Sequence, residues 1–139
     1  MAQKKRLHHM LCVMLPWPAT ELNPNTKVHW AAKARVVKEY RRVCCYRTYQ
    51  ANPYGFHAIE GKVNVALHFY PPRSGKYDED NLIARMKAGI DGIAQAIKTD
   101  DSNFHLLEPH VHDPCAGGAV VAQLTFLTRK SRGRVRVDT

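Results

Sequence analysis

At 139 residues, with 45% hydrophobic and 24% charged side chains, the chain reads as one domain of 1–128 that is long enough to bury a core. No apolar run approaches the length of a bilayer span, and four cysteines without CxxC spacing make no disulfide framework. These features exclude a membrane protein and a stapled secreted domain, and they place free thiols in a reducing cytoplasm.

The formal charge of +9 is unevenly laid out. Residues 1–77 hold 13 Lys/Arg against 3 Asp/Glu, residues 78–113 hold 3 against 8, and residues 114–139 hold 5 against 1. A basic field draws in a phosphate backbone, whereas an acidic island inside it repels that backbone unless a cation lies between them.

Leu7 to Leu15 reads as a two-sided apolar strand, stopped by Pro16-Trp17-Pro18. Lys4-Lys5-Arg6 before it gives the superficial look of a signal peptide, but His8 and His9 interrupt the run and no small-residue cleavage site follows. After a loop, Asn25 or Thr26 is the expected N-cap of a basic helix from Lys27 to about Tyr49. Val28, Ala32, Val36, Tyr40, Val43 and Cys44 mark its apolar face. His29 and Trp30 read as core, with a nucleic-acid platform as the alternative. Lys33, Lys38 and Arg42 on this helix, with Arg73 and Lys76 further on, are the candidate phosphate contacts.

Ala51 to Gly61 reads as a loop, and Lys62 to Tyr70 alternates as a half-buried strand. The turn Pro71 to Gly75 then leads into Asp78-Glu79-Asp80-Asn81. Asp78 and Asp80, two residues apart, point the same way in extended backbone. Crowded carboxylates repel one another, and the usual compensation is a hard divalent cation. The simpler reading is that Asp80 caps the helix predicted over Asn81–Ile97.

In a straight helix Lys87 lies roughly 700° on from Asp80, on the same face, and its stem leans back toward the helix start. Asp91 is its i,i+4 partner. Asp100-Asp101 come roughly 30 Å away at the helix exit, so they join Asp78 and Asp80 only if the chain turns back. A strand beginning near Asn103 would do that. A strand over His105–Val111 and another over 119–128, after Gly117-Gly118, complete the domain. Residues 129–139 are expected to be a basic, mobile tail. His105, His110, His112, Asp113 and Cys115 suggest a zinc site as a minor alternative.

Several of these residues carry a resemblance: Leu15-Pro16-Trp17-Pro18, Asn23-Pro24-Asn25, His29-Trp30, Asp78-Glu79-Asp80-Asn81, Lys87 with Asp91, Asp100-Asp101-Ser102 and Gly117-Gly118. Together, over roughly residues 11–128, the chain resembles the RusA family of Holliday-junction resolvases, its phage and prophage members in particular. The resemblance implies a dimeric α+β fold with a small mixed β-sheet packed with two main helices. It implies an endodeoxyribonuclease that cuts four-way DNA junctions by paired phosphodiester cuts, in the cytoplasm of a bacterial host. By motif position Asp78, Asp80 and Asp101 match the metal-binding acids for Mg²⁺, with Mn²⁺ as a substitute, and Lys87 matches the catalytic lysine. Where that family often has lysine four residues after the second aspartate, this chain has Ala84. A three-residue insertion preserves both the helix face and the step from Lys87 to Asp91. Asp100 is an alternative to Asp101. One set of acids per chain makes a two-fold homodimer the economical way to cut two strands. The alternative function is a basic junction- or duplex-binding protein without catalysis.

Overall fold

The computed structural model describes residues 6–53 and 59–129. The predicted basic tail, apart from Arg129, lies outside the described residues. In chain order the elements are β1 (Arg6–Pro16), a 3-10 turn at Thr20–Leu22, α1 (Trp30–Ala51), β2 (Ile59–Tyr70), α2 (Glu79–Arg85), α3 (Lys87–Ile97), a second 3-10 turn at Asp101–Asn103, β3 (Phe104–Leu106), β4 (His110–Val111) and β5 (Ala119–Arg129). The fold is α+β, with a mixed sheet in the order β1-β5-β2-β3 and β4 on the same edge of β2 as β3.

Strand period explains the layering. Val13 and Leu15 of β1, Val63, Val65, Leu67 and Phe69 of β2, and Val120, Ala122, Leu124 and Phe126 of β5 alternate into one core. Antiparallel pairing brings Leu15 opposite Val120 and Leu124 opposite Val65. From the helical layer Leu82, Met86, Ile93, Tyr40 and Cys44 fill the same core. β1 is not buried on both faces as its composition suggested: Met10 and Met14 are 63% and 62% exposed.

The N-cap of α1 is His29, whose Nδ1 accepts from Ala31 N at 3.2 Å. Asn23 instead holds its own loop, accepting from Asn25 N, so the helix starts later than predicted. Trp30 is 77% exposed and stacked on His29 at 5.7 Å, so neither ring is core.

The predicted helix over 81–97 is two helices. Met86 (φ −86°, ψ 0°) ends α2 in a tightened turn, with its N–H donating to Ile83 O at 2.9 Å, and its own carbonyl accepts from Ile90 N to start α3. Its side chain is fully buried, with Sδ 3.5 Å from Tyr40 Oη of α1, whose hydroxyl donates to Pro16 O at 2.7 Å. The described residues therefore contain three α-helices where two were expected. Among them, no helix is long and apolar enough to cross a membrane.

Candidate functional site

The loop after β2 is held from below. Tyr77 packs edge-on against Trp17 at 5.8 Å and donates from its hydroxyl to Arg73 O at 2.8 Å. This delivers Asp78 to the start of α2, where its Oδ1 accepts from Asp80 N at 2.9 Å and Asn81 N at 3.3 Å. The cap is thus Asp78 rather than Asp80, one turn of logic earlier than the sequence suggested. Glu79 and Asp80 occupy the first helical turn, where carboxylates complement the helix dipole. All three acids are exposed.

At the start of α3 the Lys87 ammonium sits 3.6 Å from Asp91 Oδ1 and 3.4 Å from Asp101 Oδ2. Asp101 reaches it because the chain reverses after α3. Lys98 adopts the left-handed conformation (φ 59°), and Thr99 N bonds back to Ala94 O at 3.0 Å. Asp100 then caps the 3-10 turn, accepting from Ser102 N at 2.9 Å, and β3 leaves parallel to β2 with Phe104 opposite Val63. The return strand expected near Asn103 is therefore present, and it is Asp101, not Asp100, that meets Lys87.

The electrostatics of this trio are uneven. Asp91 and, after it, Asp101 raise the Lys87 pKa. Burial pushes the Asp91 carboxyl up, and its hydrogen bond with Asp101 pushes it the same way. That hydrogen bond, then the nearby Lys87, lowers Asp101. The two carboxyls therefore titrate as one pair.

Asp78 and Asp80 make no hydrogen bond or ion pair with Lys87, Asp91 or Asp101 among the described residues. No three His, Cys, Asp or Glu side chains form a metal-ligand group there either. The expected set of Asp78, Asp80 and Asp101 makes no direct contact among the described residues; the acids that touch are Asp91 and Asp101. Nor do His105, Asp113 and Cys115 join His110 and His112 in a zinc site. Instead His68, which sequence reasoning passed over, lies against both His110 (5.0 Å) and His112 (5.1 Å), themselves 6.2 Å apart, with Tyr70 beyond His112 at 4.6 Å. The available clue was alternation: His68 and Tyr70 occupy the outward positions of β2.

The predicted phosphate contacts divide. Lys33 is turned onto Asn23 O (3.1 Å) and Pro24 O (3.4 Å), and Arg42 pairs with Glu39 at 2.7 Å. Lys38, Arg73 and Lys76 are exposed.

The fold and the site define an α+β protein with a mixed sheet and an exposed lysine held on two half-buried acids. No family model matches the chain. It is 35% identical over 124 residues, 88% of its length, to an "Uncharacterized protein" of Xylella fastidiosa (strain Temecula1 / ATCC 700964), of which the match covers 80%. The chain belongs to the same family as that bacterial protein.

Proposed function

We propose that the chain is a RusA-like, Mg²⁺-dependent structure-specific endodeoxyribonuclease that resolves four-way DNA junctions, working as a homodimer in the cytoplasm of a bacterial host, with a phage or prophage origin. The observation that carries this reading is the Lys87 ammonium held within 3.6 Å of both Asp91 and Asp101 at an exposed position, inside a chain of net charge +9. A charged lysine fixed on two acids is pre-oriented, so it can meet the negative charge that builds on a scissile phosphate without reorganising. The basic surface supplies sequence-independent attraction for the DNA backbone.

The oxygen donors proposed for the ion are Asp78 and Asp80 at the start of α2 and Asp101 beside Lys87. Asp78 already uses one oxygen as a cap. Mg²⁺ dependence, and the ability of Mn²⁺ to replace it, are therefore tested directly by adding each ion to EDTA-treated protein.

Lys87→Ala should slow junction cutting by about 10²- to 10³-fold, the usual cost of removing one transition-state donor, while gel-shift binding of the junction persists. Cutting at the wild-type rate by that variant rejects the assignment.

The second reading, a junction- or duplex-binding protein without catalysis, is favoured by the Asp78 cap and by the absence of a three-ligand group among the described residues. A wild-type protein that binds the junction in Mg²⁺ and leaves it intact would establish that reading instead.

A further inference from the structure

The candidate lies at the other end of α3 from the acid–lysine cluster. Helices α1 and α3 come closest at two glycines. A Cβ on Gly92 would stand 2.3 Å from the Arg41 carbonyl oxygen, and one on Gly89 would stand 2.8 Å from Tyr40 Cε2. Beside this contact a groove of about 550 Å³ opens between the two helices, lined chiefly by Lys38, Arg41, Tyr46 and Tyr49 of α1 with Gln95 and Lys98 at the end of α3.

Its chemistry is specific in two respects. Tyr46 and Tyr49 are 57% and 55% exposed, and at a spacing of three residues they are neighbours on the helix surface. Lys38, Arg41 and Lys98 form no ion pair among the described residues, while Arg42 at the groove wall is already held by Glu39. Two aromatic faces beside three uncompensated cations match a ligand that carries both negative charge and open π-faces at close intervals.

We infer that this groove binds an unpaired stretch of nucleic acid, with bases stacked on Tyr46 and Tyr49 and phosphates at Lys38, Arg41 and Lys98. Base–aromatic stacking next to a cationic track is how single strands are held without sequence preference. A duplex keeps its bases stacked on one another and leaves the tyrosines nothing to cover. An acidic peptide matches the cations but not the rings. Lys87 and Lys98 are eleven residues apart on α3, roughly 16 Å along a helix, so the groove is separate from the proposed catalytic cluster. The inference deepens the branched-DNA reading, since it assigns the unpaired strand at a branch to a surface of its own.

The test is fluorescence anisotropy of a labelled oligodeoxythymidylate titrated with the full chain in EDTA. Tyr46→Ala with Tyr49→Ala should weaken binding at least about tenfold, the effect of losing one stacked base or more. Tyr46→Phe with Tyr49→Phe should bind as wild type does, because the ring and not the hydroxyl makes the contact. Both positions are exposed, so an unchanged urea midpoint verifies the fold of each variant. The idea is overturned if the alanine pair binds within twofold of wild type, if the phenylalanine pair loses as much, or if duplex DNA or polyglutamate competes as well as the single strand. Neither metal nor cutting enters this measurement. A chain that cuts junctions but ignores the oligonucleotide sinks this inference alone, and one that binds it but never cuts sinks only the nuclease reading.

Discussion

Lys87 is the residue on which the functional reading turns, and its position was legible only in part. Sequence spacing gave the pairing with Asp91, because i,i+4 neighbours follow from helix geometry alone. It did not give the cap, because Asp78 and Asp80 are the same residue type two positions apart, and only the backbone at Asp78 (φ −77°, ψ 118°) decides which one accepts from the helix start. The cysteines are the clearest check at this scale. Cys44 is fully buried, and burial pushes its thiol up to about 12; Cys12 and Cys115 are exposed. Brief alkylation of the native protein should therefore label Cys12 and Cys115 and spare Cys44 until denaturant is added, as read by peptide mass spectrometry.

His68 gives a pH test. Burial first, and then the neighbouring His110 and His112, lower its pKa below the ordinary 6.5, while Gln123 opposes the shift. The unfolded chain takes up a proton near 6.5 that the folded chain refuses until lower pH, so stability rises with pH through that window and is lost on acidification. The urea midpoint should be lower at about pH 5.5 than at about pH 7.5, and His68→Gln should narrow the gap. An equal gap in that variant would remove the ring stack as its cause.

At the scale of elements, the close approach of α1 and α3 is what their glycines permit. Gly92→Ala forces a methyl group against the Arg41 carbonyl, and the helices must part or shift, at a cost of about 1–3 kcal/mol, as for other overpacked sites. Ile93→Ala, removing a fully buried side chain from the same helix, should cost about 2–5 kcal/mol. Both are read from urea midpoints at unchanged slope.

The strands were legible because their alternation is a one-dimensional property: Val63, Val65, Leu67 and Phe69 could be read straight off the chain. The break at Met86 was not, since Met is a good helix former and nothing in 79–97 includes a proline. Its position goes with tertiary packing: Met86 is fully buried and its Sδ lies 3.5 Å from the Tyr40 hydroxyl of another helix. The same holds for the return of Asp101, which depends on a left-handed Lys98 that no glycine announces.

For the molecule as a whole, the layout of charge bears on the proposed DNA partner. A net charge of +9 predicts that junction affinity falls linearly on a plot of log K against log salt, with a slope of about −0.9 per phosphate neutralised; a flat dependence would detach the basic surface from binding. The dimer is a separate expectation, checked by sedimentation at assay concentration. The central claim is that Asp80 and Asp101 act together in cutting. The most direct test incubates a synthetic four-way junction in Mg²⁺ with wild-type protein, Asp80→Asn and Asp101→Asn. The account predicts paired symmetric cuts by the wild type and bound but intact junction with both variants. Undiminished cutting by either variant, or none by the wild type, would contradict it.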